Sequence, residues 1–179
     1  MMLLLSPLFL LIGLAIKIED RGPIFFKQAR LGYGGEIFKI YKFRTMLTNA
    51  EKMGTGIFTE RKDPRITNVG HLLRKTSLDE LPQLINIAKG EMSFVGPRPP
   101  VPYHPYKYED YLETQKLRFK VKPGVTGMAQ VYGRNILTWD ERIKYDVKYV
   151  KNQSFLLDVK ILIKTVIAVV KKENIYRED

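Results

Sequence analysis

An uncharged apolar run opens the chain. Residues 1–16, MMLLLSPLFLLIGLAI, are followed by Lys17, and the run is shorter than the ~20 residues that a helix needs to cross a bilayer. A secretory signal would carry a basic start and a small-residue cleavage site, and neither is present. Ser6 and Pro7 predict a break or kink, because proline lacks an amide donor and clashes with the preceding turn. A core helix, a re-entrant or interfacial anchor and the remnant of a longer span remain open, and the pattern favours the anchor.

Alternating apolar and polar residues then predict two strands, at 24–29 and 36–44. The glycines of 32–35 can supply positive φ, which indicates a β-hairpin between them. Both faces of the second strand are mixed, so we expect the hairpin to be partly buried. Residues 45–65 are polar and predict a loop with one helical turn around 49–53.

Apolar residues at helical spacing predict short helices further along. Asn68 is a candidate cap for a helix that ends with Arg74 and Lys75, and a second helix is expected over 79–89, ended by Gly90. Thr138 and Glu141 have the spacing of a capping box, which predicts a helix to about residue 151.

The last predicted helix, residues 155–172, is almost entirely apolar. Its lysines Lys160, Lys164 and Lys171 fall in one narrow sector of the helix. Such a helix can be core, or it can lie in the interface of a bilayer, and the two alternatives stay open. The predicted fold is α+β and mainly helical, with a small β-hairpin, an N-terminal re-entrant or interfacial membrane helix and amphipathic interfacial helices. We expect an anchor at 1–18 and a single domain at 19–179.

Composition restricts the partners. The 179 residues carry a formal charge of +11, with a pI of about 9.7, which favours anionic partners. The chain has no cysteine, which excludes disulfides and thiolate metal sites. Its two histidines are isolated in sequence, so a histidine-assisted serine or cysteine hydrolase has little support. The basic residues are dispersed and match no nucleic-acid reader motif, so no nucleic-acid partner is expected.

The segment TSLDELPQ places two carboxylates, Asp79 and Glu80, beside cations. Arg74 precedes them, and Arg98 follows on the proline-stiffened segment GPRPP. Paired carboxylates can hold Mg²⁺ or attack phosphorus, and arginines can hold phosphoryl oxygens. The simpler alternative is that both acids only start a helix, capped by Ser77 or by Asp79 itself. Spacing alone does not decide between them.

Two other segments are weaker candidates for anion binding. They are the glycine turn KPGVTG at 122–127 and the cluster Gly133-Arg134-Asn135. The glycine fingerprints of the common nucleotide-binding folds are absent, so a nucleotide would be bound by another architecture.

Taken together, these motifs resemble the bacterial sugar transferase family, small monotopic phosphoglycosyl transferases that act on polyprenyl phosphate. The matching blocks cover nearly the whole chain: FFKQARLG, FKIYKFRTM, DPRIT-VG--LRKTSLDELPQL-N, G-MSFVGPRP, KPGVTG-AQV-GRN and YDVKYVKN-SFLLDVKIL. Their number, order and spacing make the resemblance specific.

The resemblance implies transfer of a sugar-1-phosphate from a UDP-sugar to polyprenyl (undecaprenyl) phosphate, with release of UMP, as a first membrane step of polysaccharide assembly. It implies that Asp79 is the nucleophile of a covalent aspartyl-phosphosugar intermediate and that Glu80, with Asp79, holds Mg²⁺. Arg74 and Arg98 would handle phosphate, and Arg134, from the cluster at 133–135, is a further candidate for substrate binding. Ser6 and Pro7 would be the break that returns the membrane helix to the face it entered. The expected location is the bacterial inner membrane, in contact with its lipids, with the catalytic domain on the cytoplasmic face.

One feature departs from the family pattern. Only five residues precede the Ser-Pro pair, and they reach ~7.5 Å as a helix, too little for the incoming half of a re-entrant hairpin. Either the protein begins upstream or this member is anchored differently. Two other functions remain as alternatives: a membrane-bound basic lipid- or nucleic-acid-binding module without catalysis, and a metal-dependent nucleotide-sugar phosphohydrolase that uses the same carboxylates.

Overall fold

The computed structural model of the protein describes residues 2–54, 56, 63–133 and 137–171. The fold is α+β with helices predominant, as predicted. The helices are α1 (Met2–Glu19), α2 (Asn68–Thr76), α3 (Gln83–Ala88), α4 (Glu113–Lys116), α5 (Met128–Tyr132), α6 (Trp139–Lys151) and α7 (Phe155–Val170). The strands are β1 (Phe25–Leu31), β2 (Ile37–Phe43), β3 (Ser93–Val95) and β4 (Gly124–Thr126).

The predicted hairpin is confirmed. Strands β1 and β2 pair antiparallel, from Phe25 opposite Phe43 to Leu31 opposite Ile37. Gly34 and Gly35 take the positive φ values of 63° and 84° that the turn requires. The hairpin is partly buried, as its mixed faces predicted, because buried residues are concentrated toward one end of each strand.

A second, parallel pair of strands was not predicted. β3 and β4 are each three residues long and pair Ser93 with Gly124 and Val95 with Thr126. The prediction of a simple glycine turn at 122–127 is therefore wrong in part. A Cβ on Gly124 would lie 2.1 Å from the Gly96 nitrogen, so the glycine is needed for close backbone packing.

Two helix starts differ from the predictions. Thr67, not Asn68, caps α2, since its side chain accepts from the Gly70 amide. The helix expected over 79–89 is divided into a 3-10 turn at Leu78–Glu80 and α3, which starts only at Gln83. Pro82, which has no amide donor, lies between them. The end of α3 before Gly90, at φ 77°, is confirmed.

The predicted capping box is confirmed at the start of α6. Thr138 accepts from the Glu141 amide, and the Glu141 side chain accepts in return from the Thr138 amide. The helix continues to Lys151, where the sequence pattern placed its end.

Helix α1 packs on the domain with one face and leaves the other uncovered. Ile12 and Ile16 are buried in a cluster with Phe43 and Leu73. The opposite face is apolar and exposed, through Leu10, Leu11, Leu14 and Ile18. Helical geometry continues through Ser6 and Pro7, so no interruption occurs there, and a turn back toward the entry face stays a prediction. Among the described residues, no helix has both the length and the apolarity to cross a membrane.

Helix α7 is mostly exposed. The alternative that residues 155–172 form a core helix is therefore wrong for most of its side chains. Ile161 is fully buried in a cluster with Val95, Met128 and Tyr149. Most of the remaining apolar side chains are exposed: Phe155, Leu156, Leu162, Ile163, Val166, Ile167, Val169 and Val170. They occupy about half of the helix circumference, and the lysines border that half on one side.

Candidate active site

The carboxylate pair lies on a tight connection between α2 and α3. Helix α2 ends at Thr76, and the left-handed backbone of Ser77 (φ 57°) then turns the chain into the 3-10 turn that carries Asp79 and Glu80. Ser77 makes no side-chain cap, so the capping alternative based on its hydroxyl is wrong. A non-glycine residue in this conformation is uncommon and costs backbone energy.

Apolar packing holds this turn in place. Leu78 and Leu81, on either side of the carboxylates, pack against the cluster that contains the buried face of α1. Pro82 and Gln83, directly after the turn, are fully buried. The two acids are therefore fixed to the same core as the N-terminal helix.

Glu80 is bound by two cations from distant parts of the chain. Its Oε1 atom lies 2.6 Å from Nζ of Lys42, on β2, and 3.2 Å from a terminal guanidinium nitrogen of Arg98. Burial favours the protonated form of this carboxyl, but the charges and hydrogen bonds of Lys42 and Arg98 outweigh it and lower the pKa of Glu80 to about 2. Glu80 is thus ionised throughout the physiological range.

Asp79 has the opposite shift. Burial, followed by the neighbouring charge of Glu80, raises the pKa of Asp79, whereas Lys42, Arg74 and Arg98 act against the rise. Among the described residues, no hydrogen bond or ion pair to its carboxylate is formed. Asp79 is thus a carboxylate with positive charge nearby, and its oxygens have no hydrogen-bond or ion-pair partner among the described residues.

Arg74 is held by a hydroxyl on the strand side of the site. Its Nε donates to Oγ1 of Thr45 over 2.9 Å, and Thr45 is itself buried. Helix α2 lies very close to the main chain at Thr45, since a Cβ added to Gly70 would be only 2.1 Å from the Thr45 carbonyl oxygen. Glycine in α2 therefore lets the helix that carries Arg74 meet the chain just beyond β2.

The predicted residues Arg74, Asp79, Glu80 and Arg98 come together in space. Arg134 lies outside the described residues. Lys42 completes the site and was not singled out from the sequence. Its signal was weak, because a lysine in an amphipathic strand is ordinarily a solvent-facing residue. Only the packing of β2 against the Leu78–Glu80 turn brings it to Glu80.

The donor set suits a magnesium ion that is shared with a substrate. Among the residues described, no group of three or more metal-ligating side chains occurs, so an all-protein cage is not available there. Two neighbouring carboxylates do occur, and both cations contact the same oxygen of Glu80. Mg²⁺ is commonly held by one or two carboxylates together with substrate phosphates and water, so Asp79 and Glu80 fit this mode.

Comparison with known proteins gives matches over nearly the whole chain. The profile of the family described as bacterial sugar transferase matches residues 1–172. The chain is 43% identical over 190 residues to the exopolysaccharide production protein ExoY of Sinorhizobium fredii, covering 96% of this chain and 81% of the relative. It is 46% identical to the uncharacterized sugar transferase EpsL of Bacillus subtilis, covering 89% of this chain and 76% of that protein.

A longer relative has a more specific name. The UDP-glucose:undecaprenyl-phosphate glucose-1-phosphate transferase of Escherichia coli is 42% identical over 92% of this chain, which spans only 36% of that protein. The chain belongs to the bacterial sugar transferase family and is accordingly a transferase.

Proposed function

We propose that this protein transfers a sugar-1-phosphate from a UDP-sugar to polyprenyl (undecaprenyl) phosphate and releases UMP, in the assembly of a polysaccharide. The observation that carries the proposal is the position of Asp79, which stands beside an ionised Glu80 and within the electrostatic reach of Lys42, Arg74 and Arg98. A diphosphate is repelled by an isolated carboxylate, and a group of cations reduces that repulsion.

Asp79 acts as the nucleophile in this proposal. One carboxylate oxygen attacks the phosphorus bonded to the sugar, and the bond from that phosphorus to the bridging oxygen breaks. UMP leaves with the electron pair, and an aspartyl-phosphosugar remains on the enzyme. An oxygen of polyprenyl phosphate then attacks the same phosphorus, which releases the lipid diphosphate sugar and regenerates Asp79.

The surrounding side chains hold the phosphates during both steps. Arg74 and Arg98 bind phosphoryl oxygens, and Lys42 fixes Glu80 in place. We place Mg²⁺ on Glu80 and Asp79, where it would neutralise the diphosphate and stabilise the departing phosphate. Arg134 is retained as a further candidate for substrate binding.

We also propose that the protein works at the inner membrane, with its catalytic domain on the cytoplasmic face. Polyprenyl phosphate is a lipid, so a basic protein with uncovered apolar helix faces can meet it at the level of the headgroups. The exposed apolar faces of α1 and α7 support this location.

The order of events tests the proposal. Enzyme incubated with Mg²⁺ and UDP-sugar labelled in the sugar, without lipid, should release at most about one UMP per site and keep the label on the protein. Polyprenyl phosphate should then remove the label as lipid diphosphate sugar. Repeating the assay with a panel of UDP-sugars identifies the donor sugar.

Asp79→Asn provides the matched control. It keeps the size of the side chain but removes the charge, so we expect no burst of UMP and no labelled protein, while circular dichroism shows an unchanged fold. Label-free protein together with intersecting two-substrate kinetics would contradict the covalent step. Continuous release of free sugar phosphate without lipid would instead support the phosphohydrolase, and no turnover with any donor would support a binding module.

A further inference from the structure

The segment that carries Arg98 is held by its carbonyl groups. Three of the five residues of 96–100 are prolines and cannot donate a backbone hydrogen bond. Four consecutive carbonyls each accept one bond from elsewhere in the chain. The donors are the Gly124 amide to Pro97, the Arg118 guanidinium to Arg98, the Arg30 guanidinium to Pro99 and the Leu31 amide to Pro100.

Of the two side-chain donors, Arg118 is more deeply buried than Arg30. It is only 2% exposed, and its terminal nitrogen donates to the Arg98 carbonyl over 2.9 Å. The same nitrogen lies 2.7 Å from Oδ2 of Asp146, on α6. Phe119 and Tyr111 lie against the guanidinium, with ring centroids 5.3 and 6.0 Å from its central carbon.

A buried ion pair of this kind contributes little net stability, because desolvation offsets most of the attraction between the charges. Burial raises the pKa of Asp146 to about 6, and the opposing charges of Arg118 and Arg142 limit the rise. The role of the Arg118–Asp146 pair is better explained by the main chain that it holds in place. The pair joins α6 to the main chain of the residue whose side chain reaches Glu80.

We propose that Arg118 and Asp146 are positioning residues for the transfer reaction, which hold the backbone of Arg98 so that its guanidinium meets Glu80 and the donor phosphate. This inference rests on the proposed function for its substrate, but the geometry at Arg98 stands independently of it. Asp146 orients Arg118, Arg118 fixes the Arg98 carbonyl, and the prolines on either side transmit that position with little freedom. Neither residue needs to touch the substrate.

Arg118→Lys tests the proposal, since lysine keeps the charge but lacks the planar fork that serves Asp146 and a carbonyl together. We expect kcat/KM for the UDP-sugar to fall roughly ten- to hundredfold, because a small misplacement of a catalytic group can reduce the rate by this much. In an Arg98→Ala background the same change should have almost no further effect, because its target side chain is gone. An equal loss in both backgrounds would overturn the proposal.

The matched control is Arg142→Lys, which also exchanges an arginine for a lysine. Arg142 is on the same helix as Asp146, and its central guanidinium carbon lies 5.2 Å from the Trp139 ring centroid. The Arg142→Lys variant should leave kcat/KM near the parent value. If Arg118→Lys does not fold, the paired change Arg118→Met with Asp146→Leu removes both charges, which is often neutral for stability. It should show the same dependence on Arg98.

A second measurement needs no turnover. The Nε–H NMR signal of Arg98, assigned by its loss in Arg98→Lys, should shift and broaden in Arg118→Lys and stay in place in Arg142→Lys. An unchanged signal would refute the positioning role even if activity falls. If the parent transfers no sugar phosphate, the proposed function fails, and this signal still decides whether Arg118 positions Arg98.

Discussion

Asp79 and Glu80 are adjacent in the chain and yet have opposite pKa shifts. Glu80 contacts Lys42 and Arg98 directly and stays ionised, whereas Asp79 has a raised pKa and no direct cation partner among the described residues. Neighbouring carboxylates with separated pKa values can perform different tasks. In the mechanism proposed above, Glu80 holds the cations and Asp79 is the carboxylate that reacts.

The rate of the first half-reaction should therefore depend on pH through Asp79. If Asp79 is the nucleophile, only its ionised carboxylate attacks, so the UMP burst should slow toward acid pH, with a midpoint above the ordinary aspartate pKa of 3.8. Because Lys42 lowers the pKa of Asp79, Lys42→Met should raise this midpoint further. Quenched-flow measurement of the burst from pH 4 to 8 tests both statements.

Lys27→Met is the control for the loss of one cation, since Lys27 is an exposed residue of β1 that lies over the Tyr41 ring. It should leave the midpoint unchanged. A midpoint in Lys42→Met equal to or below that of the parent would show that Lys42 does not lower the pKa of Asp79.

Much of the site could be predicted at this scale because its chemistry is concentrated in short segments. Asp79 and Glu80 are neighbours, Arg74 lies on the preceding helix and Arg98 stands between prolines. Lys42 is 38 residues from its carboxylate partner. That contact depends on tertiary packing, and no local pattern encodes it.

At the scale of elements, the site depends on the close approach of α2 to the end of β2. Gly70→Ala would ordinarily stabilise a helix by about 1 kcal/mol. Here the added Cβ would lie 2.1 Å from the Thr45 carbonyl oxygen, so we expect a net loss of roughly 1–3 kcal/mol and displacement of Arg74. Denaturant unfolding and UMP-release assays on the same protein measure the two effects.

Gly13→Ala is a matched helical control, since its Cβ would lie 3.3 Å from the flexible end of Ile24. This variant should be as stable as the parent or more so. If Gly70→Ala equals Gly13→Ala in stability and activity, the close contact between α2 and Thr45 is not required.

Elements specified by local signals were predicted well, and elements specified by packing were not. The hairpin glycines and the Thr138 capping box are local and led to correct predictions. Strands β3 and β4 are three residues each and exist only through their mutual pairing across 28 intervening residues. The helix start at Asp79 was wrong because apolar spacing does not distinguish a 3-10 turn followed by Pro82 from a continuous helix.

For the whole molecule, the most informative feature is the connection between the apolar N-terminal helix and the site. Ile12 and Ile16 share a cluster with Leu73, next to Arg74 in sequence, and with Leu78, next to Asp79. At the C-terminal end of α1, Glu19 accepts from the Asn68 and Val69 amides at the start of α2, at 2.6 and 2.9 Å. A helix that meets the membrane with its exposed face would thus set the orientation of the catalytic turn.

Helix α7 should contribute to membrane binding through the same kind of uncovered face. Leu156 and Val166 are 78% and 63% exposed, so replacing both with aspartate should leave the fold intact. Burying each such side chain in a bilayer is worth about 1.5–3 kcal/mol, so the double variant should bind vesicles at least about a hundredfold more weakly. The measurement is co-sedimentation with vesicles of phosphatidylethanolamine and phosphatidylglycerol at fixed salt.

The control must change the charge equally at apolar positions of similar exposure. Leu112→Asp with Tyr103→Asp does so, since these side chains are 65% and 61% exposed and belong to segments outside α1 and α7. This variant should lose only the electrostatic part of binding, which salt screens for the parent as well. The remaining difference between the two variants is then the apolar contribution of α7. Equal partitioning of both variants at high salt would mean that this face stays in water and that α1 alone meets the lipid.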